Sequence, residues 1–286
     1  MPVGSARFID KLVGRARAHD TWLCVGLDPD PRLAPPALVR AHPDDWLGHF
    51  LAGIVEATSD LVCCYKPNLA FFEAFGAAGM AALRQTLAAI PAAIPTLADA
   101  KRADIGNSSR GYARALYEEL GFDAATVSPY LGGDSLAPFF AYPERGVFVL
   151  CKTSNPGAAE LQELMVRAPD GGERPLYQVV AQRALGWDQH GTLGLVVGAT
   201  YPEAVAAVRA LAPSVPILLP GVGAQAGELE CAVAAAVDAH GERVLPNASR
   251  GVLYASAGPD WQEAARSAAL ALRDAVNAAR QGRGNR

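Results

Sequence analysis

The feature that most restricts what this 286-residue chain can fold into is a rhythm: short runs rich in Val, Leu and Ile alternate with longer Ala-rich stretches of helical period. Apolar runs this short fit strands buried on both faces, and such strands belong to parallel sheets, where a crossover helix joins each strand to the next. Eight runs recur: 23–27, 62–66, 96–101, 124–127, 147–150, 193–197, 217–219 and 244–247. Helical period is clearest over 70–90, 108–120 (ended by Gly121), 176–187, 203–211, 228–239 and 261–279, with Gly and Pro at the edges. Eight strand–helix units that close on themselves make a TIM-type (β/α)8 barrel, and a doubly wound open sheet carries the same alternation. The expectation is an α/β chain forming a single TIM-barrel domain over 1–286, with an N-terminal helix in 1–20 and a flexible polar tail at 280–286. Two connections are long: 28–39 after the first run and 152–175 after the fifth. Both fall on the face where barrel active sites form, so they are candidate walls or lids.

Composition narrows the partners. With 25 basic and 29 acidic side chains and a net charge of −4, the chain carries no electrostatic footprint for nucleic acid or an acidic membrane surface. A phosphorylated small molecule needs only a local basic site. Cys24, Cys63, Cys64, Cys151 and Cys231 lack C-x-x-C or Cys/His ligand spacing, and four of them read as small apolar residues in buried strands of a protein kept reduced. The first twenty residues place Phe8, Ile9, Leu12 and Val13 at helical spacing, with no apolar run of secretory or membrane length. A helix covering the barrel bottom and a cytoplasmic protein are therefore expected. His19, His42, His49, His190 and His240 fall at no predicted strand end and read as surface or capping residues.

Charges at strand ends carry the chemistry. The third run ends Leu97-Ala-Asp99-Ala-Lys101-Arg-Ala-Asp104, and a period of two puts Leu97, Asp99 and Lys101 on the inward face. A carboxylate and an ammonium inside a barrel need partners, because burying either alone is costly. Asp28 and Lys66 end the first and second runs, so two acids and two bases from three strands converge, with Asp104 just beyond. A structural ion-pair network is the bland alternative; placement at C-terminal strand ends favours catalysis. Further on, the seventh run leads into Pro220-Gly-Val-Gly-Ala-Gln225-Ala-Gly227 and the eighth into Ser249-Arg250-Gly251. Loops after strands seven and eight are the recurrent phosphate cradle of TIM barrels, and Arg250 offers a planar fork for phosphate oxygens. The G-x-G-x-x-x-G spacing, with no acid about 20 residues on, does not match a dinucleotide fingerprint.

Asp99-Ala-Lys101-Arg-Ala-Asp104-Ile105 resembles the D-x-K-x-x-D-I signature of the orotidine 5′-phosphate decarboxylases. Thr153-Ser154-Asn155-Pro156-Gly157 and the Pro220–Gln225 string resemble the same family, while Val25-Gly-Leu-Asp28, Lys66-Pro-Asn68 and Asn247-Ala-Ser-Arg250-Gly resemble its longer bacterial branch. The resemblance implies conversion of orotidine 5′-monophosphate to UMP and CO2 with no metal and no organic cofactor. It assigns Asp28 and Lys66 to the ribose, Lys101 to stabilising and protonating the C6 carbanion, and Asp99 to the substrate carboxylate. It places Asp104 and Ile105 across a homodimer interface in the partner's site, with Ser108 helping from the next helix. Ser154 would bond the pyrimidine, Pro220 would line the substrate site, and Gln225 and Arg250 would hold the phosphate. Sugar-phosphate enzymes of the same suprafamily share the acid–lysine signature but use Mg2+ to stabilise an enediolate. They would need a further acid near Asp99, and Glu73 is the one available. A barrel that only binds a nucleotide is a third reading, which the retained Asp99 and Lys101 disfavour.

Overall fold

The computed structural model describes residues 7–222 and 226–282. Its strands are β1 (Cys24–Leu27), β2 (Cys64–Pro67), β3 (Leu97–Arg102), β4 (Ala124–Val127), β5 (Gly146–Lys152), β6 (Met165–Arg167), β7 (Glu173–Pro175), β8 (Leu193–Val197), β9 (Ile217–Pro220) and β10 (Val244–Ala248). Eight of them form one parallel sheet in the order β2-β1-β10-β9-β8-β5-β4-β3. Parallel bridges Tyr65↔Thr96 and Asn68↔Asp99 join its two ends, and the sheet closes into a TIM barrel. All eight expected runs are barrel strands, displaced by two residues or fewer at either end. Val, Leu, Ala and Cys side chains bury both faces of these strands, and Cys24, Cys63, Cys64 and Cys151 lie in the core as expected, all of them free thiols.

The helices are α1 (Phe8–Ala18), α2 (Pro36–Ala41), α3 (Trp46–Thr58), α4 (Leu69–Glu73), α5 (Gly76–Ala89), α6 (Gly106–Arg114), α7 (Gly133–Phe140), α8 (Ala159–Gln162), α9 (Leu176–Trp187), α10 (Pro202–Leu211), α11 (Ala226–Ala236), α12 (Arg250–Leu253) and α13 (Trp261–Gln281). Helix α1 closes the bottom of the barrel: the Phe8 ring packs edge-on against Phe148 of β5 at 5.7 Å, and the Phe8 N–H donates to the Glu144 carbonyl at 2.8 Å.

Local physics redraws several helices. The single helix expected over 70–90 is two, because Gly76 takes φ +57°, a left-handed conformation that lets the chain turn between α4 and α5. The helix expected over 108–120 starts at Gly106 and ends in a wider turn over Ala115–Glu119, stopping at Gly121 with φ +74°. Helix α13 runs on to Gln281, and the Arg280 guanidinium donates to the Gly241 carbonyl at 2.6 Å, so the polar tail begins later than 280. The long connection after β5 is structured: β6 and β7 pair antiparallel through Met165↔Pro175 and Arg167↔Glu173. Among the described residues, no helix is long and apolar enough to cross a membrane.

Candidate active site

The expected charges do meet at the C-terminal mouth of the barrel. The Lys66 ammonium, 3% exposed, donates to Asp99 Oδ2 at 2.9 Å; the Lys101 ammonium, 47% exposed, reaches Asp99 Oδ1 at 2.5 Å. Burial alone would raise the pKa of the Asp99 carboxyl, but the two lysines outweigh it and hold it at about 2. Burial likewise opposes the charge on Lys66, and the Asp28 and Asp99 carboxylates overcome it and hold its pKa above lysine's ordinary value. Asp99 is thus a carboxylate throughout the physiological range, held between two cations.

Simple strand alternation does not deliver Lys101. Its φ of +49° puts it in the left-handed region at a break in the β3–β4 register between Ala98 and Arg102. Thr126 of β4 holds that bulge: its hydroxyl oxygen accepts from both the Ala100 and Lys101 N–H groups at 3.0 Å and donates to Asp99 Oδ1 at 3.0 Å. One neutral side chain fixes the backbone of the lysine and the orientation of the acid. A non-glycine residue in this conformation costs about 1–3 kcal/mol, and such residues cluster at functional sites. Thr126 gives no signal in the sequence, because a threonine in a buried strand carries no anomaly.

Asp28 receives the Asn68 N–H at 3.2 Å on one oxygen and the Ser249 hydroxyl at 2.6 Å on the other, which ties the ends of β1, β2 and β10 together. A cavity of about 920 Å3 opens here, lined by Asp28, Lys66, Asp99, Pro220, Asn247 and Arg250. Arg250 is solvent-exposed at the start of α12, and Gly221 turns at φ +89° at the end of β9. Gln225 lies outside the described residues. Ser154 is exposed and leans on Gly198, where an added Cβ would lie 3.0 Å from the Ser154 Cβ, so it stands at the ends of β5 and β8.

Lys101 and Ser154 do not line this cavity, Lys101 meeting it through Asp99, and Asp104, Ile105 and Ser108 do not line it either. Asp104 accepts the Ile105 N–H at 2.7 Å, Ile105 is 65% exposed, and Ser108 is exposed. Glu73 is engaged by Arg102, whose guanidinium also lies over the Tyr112 ring at 5.5 Å, so it is not a free carboxylate beside Asp99.

Known proteins share this frame. The family model described as orotidine 5′-phosphate decarboxylase / HUMPS family matches residues 21–268. An orotidine 5′-phosphate decarboxylase of Roseiflexus sp. (strain RS-1) is 50% identical over 275 residues, covering 95% of this chain and 98% of that protein. One from Thermomicrobium roseum is 48% identical, with 96% of each chain covered. The solved OMP decarboxylase of Leishmania donovani superposes with a TM-score of 0.82 at 42% identity, over 96% of this chain and 99% of that one. A Toxoplasma gondii structure described as a putative orotidine-monophosphate decarboxylase gives 0.87 at 36% identity, over 99% and 100%. A barrel with its acid–lysine cluster at the mouth, matched at this identity along nearly its whole length, belongs to the orotidine 5′-phosphate decarboxylase family.

Proposed function

We propose that this chain decarboxylates orotidine 5′-monophosphate to UMP by electrostatic stabilisation and protonation of a C6 carbanion, as a homodimer in the cytoplasm and without metal or organic cofactor. The observation that carries the reading is the Lys66–Asp99–Lys101 array, in which Lys66 and the ionised Asp99 line the cavity and Lys101, braced by Thr126, bonds Asp99.

Breaking the C6–carboxylate bond releases CO2 and leaves the electron pair on C6, with no adjacent sink, so fixed charge in the site must lower the barrier. Lys101 supplies that charge and then the proton: Nζ–H breaks, C6–H forms, and the neutral amine regains a proton from water. The Asp99 carboxylate, facing the departing carboxylate, disfavours the bound ground state. Asp28 and Lys66 take the ribose hydroxyls, Ser154 the pyrimidine, and Arg250 with Gln225 the phosphate. Pro220 lines the substrate site. Remote phosphate binding then supplies the energy for closing the loops after β5 and β9 over the ring. Asp104 and Ile105, with Ser108, complete the partner's site. The Mg2+ sugar-phosphate reading loses its further acid, because Arg102 occupies Glu73.

The test is loss of the orotate ultraviolet band in EDTA-treated protein. Turnover is expected to survive EDTA and to fall by about 10^4-fold or more in Lys101→Ala, which removes both an electrostatic and a proton-transfer contribution. Turnover that returns only with Mg2+ would overturn the reading.

A further inference from the structure

His42 and His49 fall at no strand end, and the fold gives them a common target. His42 follows α2, Asp45 precedes α3, and His49 lies in the first turn of α3. The two imidazoles stack with centroids 3.9 Å apart and planes 20° from parallel. Both aim Nδ1 at one carboxylate: His42 Nδ1 lies 3.6 Å from Asp45 Oδ1, and His49 Nδ1 lies 3.2 Å from Asp45 Oδ2. The His49 nitrogen also lies 3.2 Å from the Asp45 carbonyl. One ligand atom from each residue falls within 4.8 Å of the other two, and no other such trio occurs among the described residues.

We infer that His42, Asp45 and His49 form a binding site for a divalent transition-metal ion of the zinc class. A tetrahedral ion with bonds of about 2.0–2.2 Å holds its ligands roughly 3.3–3.6 Å apart; the two imidazole nitrogens lie 3.6 and 3.2 Å from the two oxygens of the Asp45 carboxylate, and with one ligand atom of each residue within 4.8 Å of the others, a small side-chain rotation brings all three onto one ion. Two nitrogen donors and one oxygen select Zn2+, Co2+, Ni2+ or Cu2+ over Mg2+ and Ca2+, which prefer oxygen alone. Water fills the fourth position, since the three side chains are partly exposed. None of the three lines the catalytic cavity, so the ion is structural: it clasps the segment after β1 to the start of α3. The site is independent of the proposed decarboxylation and does not supply a cofactor to it.

The probe is Zn2+ alone, titrated calorimetrically into tag-free protein, with Co2+ as a spectroscopic reporter of nitrogen ligation. One ion per chain is expected, together with a higher melting temperature. His42→Gln, Asp45→Asn and His49→Gln should each weaken binding by more than the roughly 10–100-fold that loss of an outer-shell partner costs, and each should leave OMP turnover unchanged. Absence of binding to the wild type would overturn the site. So would affinity undiminished in all three variants, or binding lost instead in Cys231→Ser, which removes the exposed thiol.

Discussion

Lys66 is buried and fully charged, which the interior tolerates only because Asp28 and Asp99 face it. That dependence can be read in stability against pH. The Asp99 carboxyl drops from 3.8 to about 2 on folding, so the unfolded chain binds more protons in that interval and stability rises with pH there. Its contribution is complete above about pH 4 and is lost as pH falls through about 2. Lys66 works in the opposite sense: its contribution is complete below 10.5 and is lost as pH rises through its elevated folded value. Thermal melts of wild type and Asp99→Asn should therefore differ by a constant gap at neutral pH that closes as pH falls from about 4 to 2. A gap unchanged across that range would mean the ion pair does not set the Asp99 proton equilibrium. At this scale the charged residues were legible in the sequence, because Asp28, Lys66, Asp99 and Lys101 are anomalies at the ends of apolar runs. Thr126 and Ser249 were not: a neutral hydroxyl in a strand or turn looks ordinary until the fold shows what it bonds. The left-handed Lys101 was equally hidden, since strict alternation would have placed its side chain by parity alone.

Among the elements, β1 shows how a strand can serve the site through a missing side chain. A Cβ on Gly26 would collide with the Ser249 hydroxyl and come within 3.1 Å of Asp28 Oδ2. Gly26→Ala should push Ser249 off Asp28, lowering kcat/KM by about 10^2-fold, the scale of a 1 Å misplacement at a reacting centre. Melting should report only the roughly 1–3 kcal/mol of an overpacked core. Unchanged kcat/KM beside lowered stability would reduce the Asp28–Ser249 bond to a packing device. The β6–β7 hairpin is tied down differently: buried Lys152 donates to Glu163 Oε1 at 2.7 Å and lies 4.7 Å from the centre of the Tyr201 ring. Glu163→Gln removes the charge that balances a buried ammonium, so proteolytic nicking within 152–175 should quicken and UMP should protect less well than in wild type. Equal nicking rates would show that Lys152 anchors β5 rather than the hairpin. The barrel strands were readable because both faces are apolar. The hairpin was not, since its strands are three residues each and none of the six is buried, and α7 hid behind Pro138, which lowers the helical signal of an otherwise regular segment.

For the whole molecule, the question is what covers the surface beside the cavity. Ile105 is 65% exposed and Tyr130 77%, and Tyr112 and Leu131 are exposed with them, on the elements that follow β3 and β4. Apolar side chains in this number beside a catalytic mouth fit a self-complementary two-fold contact, and Asp104 stands at its edge without entering its own cavity. If Asp104 serves the partner's site, Asp104→Ala and Lys101→Ala are each inactive for reasons that reside in different chains. Mixing the two after dissociation must then regenerate activity. In a mixed dimer one site pairs an intact Lys101 with an intact Asp104 and the other lacks both. Random exchange makes half the dimers mixed, so about one quarter of wild-type turnover should return for a two-fold contact of this kind. Recovery near zero with mixed dimers present would place Asp104 in its own chain's chemistry, and the exposed Ile105 would then have to be explained by assembly alone.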